Sequence, residues 1–138
     1  MLKQLMAFLA AMAILAAGVS YAAPQAFSKY ALDIPEGWTF HEDGNVVAIF
    51  GPHNVAAISI VMDTADGMTA RSIAEAMSGP LQGTTPRPTH DGYVFTFQND
   101  QGVDSFSRIS VANGIFVMVT VTGDHPQVAG ILGSIVYR

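Results

Sequence analysis

The sequence predicts an α+β fold in which a mostly antiparallel, seven-stranded sheet is flanked by helices. Three observations carry this. Apolar residues alternate with period two from Tyr30 to Met62 and again from Tyr93 to Thr122. Helical spacing of i, i+3, i+4 and i+7 appears from Ala70 to Leu81 and from Val128 to Val136. Short turn signals separate the alternating runs, and strands joined by short turns pair antiparallel.

Tyr30, Leu32 and Ile34 alternate with Ala31 and Asp33, a half-buried strand ended by Pro35-Glu36-Gly37. Trp38 and Phe40 alternate with Thr39 and His41 up to Asp43-Gly44, a two-residue hairpin turn. Val46 to Phe50 returns, Gly51-Pro52-His53-Asn54 turns again, and Val55 to Met62 closes a meander of four strands. Thr69 then caps a helix over 69–78, with Met68 and Ile73 placed as a hydrophobic staple. Gly79-Pro80 is expected to stop it, the glycine taking the left-handed cap. Residues 80–92, rich in Pro, Gly and Thr, form a connection long enough to be functional, mobile or host to a short edge strand.

Tyr93, Phe95 and Phe97 share one face of the next strand, and Asn99-Asp100-Gln101-Gly102 turns the chain into Val103 to Val111. Asn113-Gly114 is a strong hairpin signal; it pairs Ala112 with Ile115, Val111 with Phe116 and Ile109 with Met118. The opposite face carries Phe106, Val117, Val119 and Val121, with Arg108 beside Val119 near the sheet's margin. Apolar side chains on both faces imply that both are covered. A helix over 125–136 closes the chain, with Asp124 and Gln127 spaced as a capping box and Pro126 in the first turn. The expected core includes Trp38, Phe95, Ile109, Met118, Ile131 and Ile135.

Residues 1–22 read as a signal peptide: Lys3 in the n-region, an uncharged Ala/Leu/Met-rich run to Val19, and Ser20-Tyr21-Ala22 with small residues at −3 and −1. Retention as an uncleaved anchor is the alternative, since no charge occurs between Gln4 and Ser28. Cleavage after Ala22 predicts a soluble extracytoplasmic (periplasmic or secreted) protein whose intact mass corresponds to residues 23–138, one domain by length. Full-length protein in the membrane pellet would refute this. Cleavage removes Lys3 and leaves five Lys/Arg against eleven Asp/Glu, a net charge of −6. That balance repels phosphate backbones and excludes nucleic acid as a partner. The chain has no cysteine, so disulfides, a lipidated N-terminal cysteine and a thiol nucleophile are all excluded.

No Gly-x-Ser-x-Gly elbow or phosphate-binding glycine loop is present, so no catalytic or cofactor-binding residue is assigned and no cofactor is expected. His41, His53, His90 and His125 lie far apart, and Asp63 and Asp66-Gly67 lack calcium-loop spacing. His90-Asp91 and Asp124-His125 are explained by a turn and a helix cap, so no metal site is expected. Exposed loops on a rigid sheet carry binding more often than cores do. The candidate contact surface is therefore Arg87, held extended between Pro86 and Pro88, with His90 and Asp91. These features predict a non-catalytic exported envelope protein, a binding or accessory module for a protein or small-molecule partner. The alternative is a secreted hydrolase or weak metal-binding protein whose site assembles only in three dimensions.

The opening YALDIPEGW (Tyr30 to Trp38) and the terminal GILGSIVYR (Gly130 to Arg138), in this order of elements, resemble the PsbP-like (DcrB-like) family. The resemblance covers about Phe27 to Arg138. It implies an α/β/α sandwich and proteins that bind or assist others rather than catalyse. Lacking the lipidated cysteine of many bacterial envelope relatives, this chain would be a soluble variant.

Overall fold

A computed structural model describes residues 19–20, 23–27 and 29–137; the rest of the expected signal segment lies outside the described residues. Ahead of the period-two runs stand strands β1 (Val19–Ser20) and β2 (Ala23–Ala26), which the periodicity does not predict; the first run becomes β3 (Tyr30–Ile34), β4 (Thr39–Asp43), β5 (Val46–Phe50) and β6 (Ala56–Thr64). After the central helix come β7 (Arg87–Pro88), β8 (Tyr93–Gln98), β9 (Asp104–Ala112), β10 (Ile115–Gly123) and β11 (Val136–Tyr137). The helices are α1 (Ala70–Ser78) and α2 (Val128–Gly133).

The main sheet has the order β1-β4-β5-β6-β10-β9-β8-β7, with every neighbouring pair antiparallel. Its seven strands from β4 to β7 form the expected antiparallel sheet, and the two-residue β1 extends it. Membership differs from the sequence expectation at one strand. Tyr30–Ile34 leaves the meander and joins a second sheet, β11-β3-β2. The physical reason is the second face of β5, β6 and β10. Val47, Ile49, Ile58, Ile60, Val119 and Val121 need a cover, and Tyr30, Leu32 and Ile34 of β3 supply it. Arg87–Pro88 takes the vacated seventh place, so the long connection does contain an edge strand.

Turn chemistry fixes the registers. Asn113 (φ 54) and Gly114 (φ 76) are both left-handed, as a type I′ hairpin requires, and Ala112 faces Ile115 as expected. The β4–β5 turn sits one residue later than expected: Asp43 pairs with Val46, so Gly44 (φ 61) and Asn45 are its central residues.

Helix α1 starts at Thr69, whose hydroxyl accepts the Ser72 N–H at 3.1 Å while the Ser72 hydroxyl accepts the Thr69 N–H at 2.9 Å. Its inner face, Ile73, Ala74 and Met77, packs on Val61, Phe95, Ile109, Phe116 and Met118. Gly79 does not take the left-handed cap; it remains helical at φ −58. Without a Cβ it tolerates that conformation before Pro80. The chain makes one more turn, Gln82 adopts φ 55, and the Gly83 N–H reaches the Ser78 carbonyl at 2.8 Å.

Helix α2 is shorter than the expected 125–136, and the capping box does not form. The Gln127 N–H donates to His125 Nδ1 at 3.1 Å, and Gln127 Oε1 accepts the Trp38 indole N–H at 2.8 Å. Ser134 ends the helix: its hydroxyl donates to the Ile131 carbonyl at 2.7 Å and accepts the Asp33 N–H at 2.8 Å. Glycines at 130 and 133 weaken the helix, and β-branched Ile135 and Val136 suit the strand that follows. Ile135 is consequently half-buried, whereas Trp38, Phe95, Ile109, Met118 and Ile131 are buried as expected. The layers are thus α1, the main sheet, and a second cover built from the small sheet and α2. Among the described residues, no helix is long and apolar enough to cross a membrane.

Candidate functional site

At the β7 end of the sheet the chain is held rigidly and its side chains point to water. The Thr84 N–H donates to the Thr96 carbonyl at 2.8 Å, and the Thr89 N–H to the Gly92 carbonyl at 2.8 Å. The turn from Thr89 to Gly92 therefore has a fixed base. Gly92 lies so close to β9 that an added Cβ would collide with the Ile109 carbonyl. Gly92→Ala is expected to cost about 1–3 kcal/mol through overpacking, read as a lower denaturant midpoint. A loss under 0.3 kcal/mol would show that the turn is not anchored on β9.

Arg87, His90 and Asp91 are all exposed on this edge. His90 Nδ1 lies 3.9 Å from Asp91 Oδ1, and the Thr89 hydroxyl donates to Asp91 Oδ1 at 3.1 Å. Arg87 stands on β7 opposite Val94. The structure therefore brings His90 and Asp91 together and sets Arg87 on the strand leading into the same turn. Two further residues belong to this region. Arg108 also stands opposite Val94, and Tyr137 is within electrostatic reach of both Arg108 and Asp91. The hairpin register already places Arg108 on the second face; its neighbour on β8 was not legible, because the turn over 99–103 that joins β8 to β9 does not announce its pairing as Asn113-Gly114 does. Tyr137 was hidden by the helix read through 136.

The histidines stay apart. His125 stacks edge-on against Trp38 with ring centroids 5.2 Å apart, while His41 and His53 are exposed on other elements. Among the described residues, no three of the acidic or His side chains gather at metal-binding distance.

A cleft of about 760 Å³ opens beside the free side of β8, between Leu81–Thr84 and the β8–β9 strands. Among the described residues Asp104 is the one ionisable side chain on its wall, and it accepts a hydrogen bond from Gln98 Nε2 at 3.1 Å. A smaller cavity of about 240 Å³ lies between the two sheets, walled by Phe27, Lys29, Tyr30, Glu42, Val47 and Met62, among others. The Tyr30 hydroxyl is buried, with no hydrogen-bond partner among the described residues. Burial first, and the Glu42 carboxylate second, push its pKa well above the usual phenol value. The unfolded chain therefore loses this proton at lower pH than the folded one. The stability linked to Tyr30 is complete below pH 10 and is lost as pH rises beyond it. Tyr30→Phe is expected to leave stability at pH 7 unchanged or raised and to flatten the alkaline limb of the stability–pH curve. An unchanged alkaline limb would refute the assignment.

The class defined by this geometry is an α+β domain with an antiparallel sheet covered on both faces. No protein-family model matches the chain, and a search of curated proteins finds no match. Two of the solved structures similar to it illustrate the likeness. One is a crystal structure from Bacteroides thetaiotaomicron VPI-5482, at 15% identity and a TM-score of 0.52, covering 88% of this chain and 48% of that one. The other is the solution structure of cyanobacterial PsbP (CyanoP) from Synechocystis sp. PCC 6803, at 12% identity and a TM-score of 0.49, covering 90% and 98%. The chain thus spans about half the length of the Bacteroides protein, and the likeness is one of fold.

Proposed function

We propose that the protein is a non-catalytic binding or accessory module of the extracytoplasmic compartment, and that it contacts its partner through the edge bearing Arg87, His90 and Asp91. One observation carries the reading. Among the described residues every Asp, Glu, Lys and Arg side chain is exposed, apart from the half-buried Asp63. Catalytic acids and bases are instead gathered in concave sites that perturb their titration. The extracytoplasmic location rests on the signal-like pattern of residues 1–22.

The test is what co-purifies with the protein from its native envelope. A reproducible partner that is lost on His90→Ala or Arg87→Ala supports the reading. Substrate screening that finds turnover abolished by a single Ser or His substitution would overturn it in favour of a hydrolase.

A further inference from the structure

Strand register draws a line across the open part of the second face. Arg87 pairs with Val94, Val94 with Arg108, and Arg108 with Val119. Directly opposed residues in antiparallel strands share a face, so these four side chains stand in one row. With strands about 4.8 Å apart, the two arginine Cα atoms are about 10 Å apart. The small sheet and α2 cover only part of this row. Val119 is buried beneath them, Val94 is half-buried, and both arginines are exposed.

Where the cover ends stands β11, the last strand of the small sheet, whose outer edge has no strand partner among the described residues. Its Val136 and Tyr137 are 66% and 53% exposed, two of the three exposed large apolar side chains among the described residues. Among the described residues neither Arg87 nor Arg108 has a hydrogen-bond or ion-pair partner. Two of the five cations left after cleavage thus stand in one row on either side of Val94, without an ion-pair partner among the described residues, beside an apolar rim. Asp91 and His90 border the row at the turn.

We propose that this row docks an extended acidic segment of a partner protein. Carboxylates at i and i+4 of such a segment are about 13 Å apart on one side of the chain. The two guanidiniums, on side chains long enough to reach beyond their Cα spacing, meet them, while an apolar side chain at i+2 lies over Val94 against Tyr137. Guanidinium forks bind carboxylates in two-pronged fashion, which sets position as well as affinity. A polyanion or an anionic bilayer would feel the net charge of −6 that residues 23–138 carry, whereas a short segment feels the local pair.

The inference rests on the binding-module reading and names the partner's chemistry at that edge. It is tested by fluorescence anisotropy with a labelled peptide centred on Glu-Ser-Leu-Ser-Glu, and with its Lys-for-Glu counterpart. The acidic peptide is expected to bind saturably and to weaken with salt. Arg87→Ala with Arg108→Ala should lower affinity about tenfold or more, while Arg71→Ala, whose side chain pairs with Glu75 at 2.9 Å on α1, should change nothing. Arg108→Glu should shift preference toward the Lys peptide. Absence of saturable binding at millimolar peptide, or equal binding by the double variant, overturns the inference. So does arginine-dependent binding of inorganic phosphate or anionic vesicles that exceeds binding of the peptide. A co-purified partner still lost on His90→Ala, with no peptide binding, removes this inference and leaves the binding-module reading standing.

Discussion

Trp38→Ala is expected to lower stability by about 3–5 kcal/mol in denaturant titration, because it empties the space between the two sheets and α2. Trp38 is fully buried among Leu32, Ile34, Ile49, Ile58 and Ile131. Its indole N–H is satisfied by Gln127, His125 meets its ring edge-on, and Gly51 gives it room at the end of β5: a Cβ there would stand 3.2 Å from the ring. The side chain thus joins the start of β4 to the approach to α2. Trp38→Phe keeps most of the volume and removes the donor, so a smaller loss is expected. A loss below 1 kcal/mol for Trp38→Ala would show that this layer is not packed as described.

The second large effect concerns α2. Ile131 is its one buried residue, 2% exposed, so the docking of a six-residue helix depends on it. Ile131→Ala is expected to cost about 2–5 kcal/mol by leaving a cavity that a short helix cannot close. A loss under 0.5 kcal/mol would mean that the helix is not docked. Trp38 and Ile131 belong to one cluster, so the double variant should depart from additivity.

The strand order was legible wherever a turn dictates its own pairing. Asn113-Gly114 carries its register in two left-handed residues, and every partner from Ala112–Ile115 to Ile109–Met118 follows from it. The Thr69 cap and the stripe of Ile73, Ala74 and Met77 were equally local. What sequence could not assign was the choice between sheets. Tyr30, Leu32 and Ile34 alternate in the same way whether they extend the main sheet or cover it, and only the need to bury both faces of β5 and β6 decides. The C-terminus failed for a related reason. Helical spacing through Val136 survives on paper, but Ser134 is held by the Asp33 N–H, and the chain turns into a strand beside β3. At the candidate site Arg87, His90 and Asp91 were readable as exposed loop residues. Arg108 and Tyr137 come near them only through pairing and layer packing.

The two ends of the main sheet bear on growth by strand addition. A strand with unpaired N–H and C=O groups is a template for other chains, and short length, charge and proline blunt it. β7 combines all three, being two residues long and consisting of Arg87 and Pro88. At the other end β1 lies against Thr39 and Phe40 of β4. A cut after Ala22 would remove β1 and hand the outer position to β4, whose His41, Glu42 and Asp43 are exposed. Export would therefore exchange one guarded border for another. The mature sheet would end in a charged strand on one side and a proline-bearing one on the other, leaving neither side inviting to growth by strand addition.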